Sequence, residues 1–313
     1  MKIEALRTPD DRFEDIPDWP YAPRYVEDLP GYDGLRMHYI DERPLQRKDE
    51  PEVTFLCLHG EPTWGYLFRK MIPKFVGAGH RAVAPDLFGF GRSDKPVDDE
   101  RYTYHFHRNA LLAFVDKLDL ENVCLVVQDW GGVLGLTLPL EAPERYTRAI
   151  IMNTGLPAGE EAPQGFAAWR AFARSRPDLD IAALIKRVTP ILSDAEAAAY
   201  AAPFPDQPYK GGVRRFPELV MLKEKGANDL TSAAKEGVPT SLEARKFWSE
   251  CWTGQTFMAI GLQDPVLGVP VMHGLRKMIR NCPEPLELAE AGHFVQEWGA
   301  PIAHAALEKF GVA

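Results

Sequence analysis

From about residue 24 the chain alternates short apolar runs with stretches whose apolar residues recur at helical spacing. RYVEDLPG and GLRMHYIDE interleave polar and apolar positions and predict an opening pair of strands. VTFLCLHG, RAVAPD, NVCLVVQD and RAIIMN are short apolar runs, the pattern of parallel strands buried on both faces. Between them, helices are predicted over roughly Tyr66 to Val76, in HRNALLAFVDKLDL, and from GGVLGLTLPLEA to a stop near Pro143. This alternation predicts an α/β class, with a parallel sheet covered by helices on both faces.

The rhythm breaks between about Leu156 and residue 235, where no clear strand occurs and prolines cluster, as in PFPDQP. It resumes with a helix in SLEARKFWSECW, a strand in QTFMAIG and a last strand in PLELAEAGHF. The pattern predicts a core of residues 1–155 and 236–313, with residues 156–235 inserted as a helical layer. Insertions at the carboxyl ends of sheet strands lie over the functional crevice of such folds.

Composition narrows the class. The 313 residues are 45% apolar and 26% charged, which excludes a disordered acidic chain, a collagen and a coiled coil. No apolar run approaches the ~20 residues of a membrane span, and the charged N-terminus lacks an apolar signal core. The formal charge of −9 disfavours a nucleic-acid partner. Four cysteines, Cys57, Cys124, Cys251 and Cys282, show no metal spacing and read as thiols in a reducing cytoplasm.

The sharpest chemical signal is VVQDWGG, Val126 to Gly132, an apolar strand meeting a tight turn and a helix that begins at two glycines. This is the context of a nucleophile elbow, with Asp129 in the nucleophile position and Gln128 where a glycine usually stands. A bare helix cap would also use an Asp there. Two other segments point to catalysis. Leu58-His59-Gly60-Glu61 follows a strand and offers a backbone N–H toward the elbow, with His59 itself structural. Ala291-Gly292-His293-Phe294 follows the last strand and offers a base, and Gly261-Leu262-Gln263-Asp264 offers an acid. The order Asp129, Asp264, His293 is that of a nucleophile–acid–base triad.

HGEPTWGYLFRKMIP, PDLFGFGRSDKP, VVQDWGG, AAYAAPFPD and EAGHFVQEWG together resemble the haloalkane dehalogenases of the α/β-hydrolase fold. The resemblance runs from about residue 25 to the C-terminus. It implies a mostly parallel eight-stranded sheet with an inserted helical cap, and the subfamily whose triad acid, here Asp264, follows the penultimate strand. The place used by another subfamily holds Asn153, which cannot carry the charge. The resemblance also implies hydrolysis of a haloalkane to a primary alcohol and halide, with water as co-substrate and no metal or cofactor. A carboxylate nucleophile suits a saturated carbon, because it leaves an ester whose carbonyl water can attack. His293 would activate that water, Asp264 would orient His293, and the N–H groups of Glu61 and Trp130 would hold the oxyanion.

Halide would be caught by the indoles of Trp130 and Trp169, an indole N–H being a donor with no competing acceptor. The Glu61 carboxylate would repel a halide, so its backbone is expected to serve. Phe166, Phe172, Val133, Val266 and Leu267 are the expected walls of a dry pocket, and a small Val133 leaves room for longer or branched chains. His105 and His107 form an HxH pair without a third ligand. A monomer is expected, as no dedicated interface segment is visible. Two alternatives remain. An epoxide hydrolase shares the Asp nucleophile but needs cap tyrosines, for which Tyr200 and Tyr209 are available. A non-catalytic binding protein of this fold would be expected to lack a triad member.

Overall fold

A computed structural model describes residues 2–44 and 52–313; Met1 and residues 45–51 of the expected core lie outside them. In chain order the strands are β1 (Ala5–Leu6), β2 (Arg24–Val26), β3 (Met37–Glu42), β4 (Thr54–Leu58), β5 (Arg81–Pro85), β6 (Lys95–Pro96), β7 (Val123–Gln128), β8 (Tyr146–Met152), β9 (Gln255–Gly261) and β10 (Leu286–Leu288). The α-helices are α1 (Ile72–Gly77), α2 (Tyr104–Lys117), α3 (Trp130–Gly135), α4 (Gln164–Arg174), α5 (Ile181–Val188), α6 (Asp194–Ala201), α7 (Gly211–Leu219), α8 (Ser232–Lys235), α9 (Val238–Lys246), α10 (Val269–Met278) and α11 (Gly299–Phe310).

Eight strands form one sheet in the order β10-β9-β8-β7-β4-β5-β3-β2. Six of them are parallel; β3 runs antiparallel to both β5 and β2. Every residue of β4, β5 and β7 is buried, which explains their unbroken apolar runs. β4 lies between β5 and β7, so strand order reverses beside it and a crevice opens at the carboxyl ends. β4, β7, β8, β9 and β10 all point their carboxyl ends at that crevice.

Helices α4 to α8 lie between β8 and β9 and cover it. The N-terminal segment ties down one side of this layer. Thr8 Oγ1 donates to Pro203 O at 2.8 Å, and Arg12 Nε donates to Ala202 O at 3.3 Å. Trp64 Nε1 donates to Ala199 O at 3.1 Å from below.

Two predicted helices differ in extent. The stretch Tyr66 to Val76 is a 3₁₀ turn over Gly65–Phe68 followed by α1, because Pro73 lacks an N–H and is tolerated only in a helix's first turn. Helix α3 ends at Gly135 rather than near Pro143: three of its six residues are glycines, and 3₁₀ turns at Leu138–Leu140 and Pro143–Arg145 take over.

Candidate active site

Asp129 stands at the β7–α3 junction with φ 50° and ψ −127°, a strained backbone for a residue with a side chain. The turn is pinned on both sides. Asp129 N donates to Asn153 O at 3.0 Å, and Thr154 Oγ1 donates to Asp129 O at 2.7 Å. The tight approach needs glycines. A Cβ on Gly131 would sit 1.8 Å from Leu58 O, and one on Gly60 would sit 2.2 Å from Asp129 Oδ1. With no side chain at Gly60, the Glu61 N–H reaches Asp129 Oδ1 at 2.8 Å. Burial pushes the Asp129 carboxyl upward, while His293 and the N–H groups of Trp130 and Glu61 favour its charge.

His293, in the loop after β10, lies between the two aspartates. Its Nδ1–H donates to Asp264 Oδ2 at 2.8 Å, and its Nε2 is 3.6 Å from Asp129 Oδ2. Asp264 Oδ1 accepts the N–H groups of Val266 and Leu267, and Oδ2 also accepts Asn153 Nδ2 at 2.9 Å. Burial opposes its charge, yet these donors and His293 hold Asp264 down to about 2. Burial also opposes charge on His293, but the Asp264 and Asp129 carboxylates raise it to about 9.

Asn153 therefore does more than fill a place that lacks an acid. Besides holding Asp264 and accepting from Asp129 N through its carbonyl, its Oδ1 accepts Gly261 N at 2.9 Å. Gln128 supports His293: its Nε2 donates to His293 O at 3.1 Å and lies 3.0 Å from His293 Nε2. His59 braces the loop that bears Glu61, with Nδ1 bonded to Gly60 O and Nε2 accepting Leu87 N.

A cavity of ≈ 910 Å³ opens over Asp129. Trp130, Trp169, Phe166, Val133, Val266 and Leu267 all stand on its wall. The indoles of Trp64, Trp248 and Trp252 donate to Ala199 O, Leu136 O and Thr256 Oγ1. Those of Trp130 and Trp169 have no protein acceptor among the described residues. Trp130 is held by Phe216 of α7, with ring centroids 4.7 Å apart.

Phe172 is a correction. It is not on the wall: it stacks on Trp169 at 5.9 Å and lies under the guanidiniums of Arg176 and Arg187. It is one helical turn beyond Trp169 on α4, so that indole stands between it and the cavity while the two guanidiniums cover the ring's other contacts. The sequence reading also missed the wall from α5 and α10, notably Leu184, Val188, Leu275 and Met278. The apolar spacing Ile181, Leu184, Ile185, Val188 was the available signal for α5.

Glu61 is buried on the same wall, and its Oε1 has no hydrogen-bond partner among the described residues. Burial, reinforced by the Asp129 charge, pushes its carboxyl well above the usual range. Both effects favour its neutral form, in which it would repel a halide less than a carboxylate would. His105 and His107 lie on α2; His107 is buried beside Phe216 and burial pushes it down to about 3. Among the described residues no cluster of three His, Cys, Asp or Glu is placed to hold a metal, and no helix is long and apolar enough to cross a membrane.

The alpha/beta hydrolase fold family matches residues 53–300. A haloalkane dehalogenase of Mycolicibacterium paratuberculosis is 40% identical over 309 residues, 96% of this chain and 95% of that protein. One from Psychrobacter cryohalolentis is 42% identical over 305 residues, covering 95% and 94%. Among solved structures, the tetrameric haloalkane dehalogenase DpaA from Paraglaciecola agarilytica aligns with a TM-score of 0.91 at 49% identity, covering 98% of this chain and 99% of that one.

Proposed function

The chain belongs to the haloalkane dehalogenase family, and from that premise we propose how its own residues carry out hydrolytic dehalogenation of haloalkanes to alcohol and halide. The two oxygens of Asp129 have different surroundings, and this observation carries the reading. Oδ1 is held by the Glu61 N–H, while Oδ2 faces His293 and the cavity. Oδ2 attacks the halogen-bearing carbon, the carbon–halogen bond breaks, and the halide leaves toward the N–H groups of Trp130 and Trp169. The product is an ester whose carbonyl oxygen is Oδ1.

Water then adds to the ester carbonyl. The 3.6 Å gap between His293 and Asp129 is too long for a hydrogen bond, and the water enters beside it. His293 Nε2 takes a proton, and the oxyanion on Oδ1 is held by the N–H groups of Glu61 and Trp130, a donor of this kind being worth ~3 kcal/mol. Collapse releases the alcohol and restores the carboxylate. The net proton leaves through His293. Esterification itself prepares the base: it removes the Asp129 charge, one of the two carboxylates that hold the imidazole protonated in the free enzyme.

The epoxide-hydrolase reading lacks its acids. Tyr200 is buried with its hydroxyl on Glu297, and neither it nor Tyr209 lines the cavity. Incubation with short bromoalkanes and epoxides tests the choice: bromide release with alcohol is expected, and diol from epoxides without bromide from any bromoalkane would reverse it. In His293→Phe the reaction is expected to stop at the ester, leaving the alkyl mass on Asp129. We also propose a core of residues 1–155 and 236–313, a cap of residues 156–235, a cytoplasmic location and a monomer. The relative DpaA is tetrameric, so light scattering checks the last point directly.

A further inference from the structure

Next to the His293 loop, and not lining the cavity, lies a buried charged cluster that the chemistry above does not use. Arg69 and Glu297 are fully buried and pair through both guanidinium nitrogens, Nη1–Oε1 at 2.7 Å and Nη2–Oε2 at 2.8 Å. The Tyr200 hydroxyl donates to Glu297 Oε1, and Arg69 Nη1 is 3.3 Å from that hydroxyl. Arg69 Nη2 also reaches Glu196 Oε1 at 2.8 Å, and Lys70 Nζ lies 2.8 Å from Glu297 Oε2 and donates to Glu297 O at 3.1 Å. The Arg69 guanidinium lies over the Tyr66 ring at 4.2 Å.

Three separate segments meet here. Arg69 and Lys70 follow the 3₁₀ turn that continues the loop bearing Glu61. Glu196 and Tyr200 belong to cap helix α6. Glu297 sits in the 3₁₀ turn Val295–Trp298, four residues after His293, and its N–H donates to Phe294 O at 3.0 Å. The same turn places Phe294 and Trp298 on the cavity wall. A buried ion pair is a poor device for stability alone, because desolvation offsets most of the attraction and an apolar pair of equal volume often serves as well. Its bidentate geometry does fix direction.

We infer that Arg69, Glu297 and Tyr200 form a positioning unit that fixes the His293 loop against the oxyanion loop and the cap, so that the imidazole addresses the ester carbonyl. None of the three touches the reacting atoms. The first chemical step uses Asp129, whose turn is pinned by Asn153 and Thr154, and the indoles of Trp130 and Trp169, and it does not use the imidazole. The second needs His293 in place. Loosening the unit therefore slows ester hydrolysis selectively.

This inference rests on the two-step reading, and the experiment separates the two. Tyr200→Phe and the paired variant Arg69→Met/Glu297→Leu, which removes both charges without leaving either alone, are mixed rapidly with 1-bromobutane. Bromide burst, alcohol formation and intact protein mass are followed. The expected result is a burst rate within about twofold of the parent, ester decay slower by about tenfold or more in the paired variant, and alkylated protein accumulating, whatever the melting temperature does. Arg69→Lys, which keeps the charge but not the fork, is expected to fall between. A normal burst with normal ester decay overturns the positioning unit, as does equal slowing of both steps, which marks a merely structural role. A His293→Phe protein that releases bromide yet never carries the alkyl mass on Asp129 overturns the two-step reading and this inference with it.

Discussion

Glu61 shows how much one buried side chain depends on its neighbours. Its backbone N–H must meet Asp129 Oδ1, so its carboxyl is carried into an apolar wall beside a second carboxylate. Burial and the Asp129 charge both favour its protonated form and raise it well above the ordinary 4.5. The sign of the pH effect follows. From the ordinary value up to the raised one, unfolding releases a proton, so this group makes stability fall as pH rises. Glu61→Gln is expected to keep turnover within a few-fold at neutral pH. It is also expected to melt at least as high as the parent at pH 8, measured by thermal unfolding, and to bind bromide without an alkaline loss. His293 acts in the same direction by a different route. Its folded value of about 9 exceeds the ordinary 6.5, so its contribution to stability is complete below 6.5 and is lost as pH rises through 9. His293→Gln is expected to narrow its stability gap to the parent above pH 9. Most of these residues were legible from the sequence because each stands directly after an apolar strand. Asn153 and Gln128 were read only for the roles they lacked, since hydrogen bonds spanning 111 and 165 residues leave no local pattern.

Among the elements, α4 carries the finest tolerance. Gly165 packs so closely on the acid loop that a Cβ there would lie 1.9 Å from Pro265 O. Trp169 stands one turn further along the same helix, so its indole is placed by that contact. Gly165→Val is expected to push the helix off the loop, to weaken bromide quenching of tryptophan fluorescence by tenfold or more, and to leave the ester-hydrolysis rate of already alkylated protein nearly unchanged. Unaltered quenching would show that α4 tolerates the displacement. The sheet strands were readable because burial on both faces writes them as continuous apolar runs. The cap was readable only as an interruption. Its helices are short, and α4 meets the cavity with some side chains and carries arginines on others. Helical spacing alone therefore does not separate Phe172, which stacks behind Trp169, from Phe166 and Trp169, which stand on the cavity.

At the scale of the molecule, the reacting groups come from the carboxyl ends of β4, β7, β9 and the loop after β10, and the lid over them from the β8–β9 connection. A ligand in the cavity therefore touches both layers, and occupancy ties them together. Bromide at about 100 times its dissociation constant is expected to stabilise the folded chain by about 2.7 kcal/mol. Calorimetry checks this, with Trp169→Leu losing most of the effect. The arrangement of the nucleophile also leaves a record in the weight of the whole protein. One carboxylate oxygen of Asp129 is clamped under the Glu61 N–H, and in the mechanism we propose the other departs with each alcohol and is replaced from solvent. In heavy-oxygen water the first alcohol then carries ordinary oxygen and every later one carries the heavy isotope. However long the reaction runs, the enzyme gains one heavy atom and never two; a second would mean that the clamp lets go between turnovers.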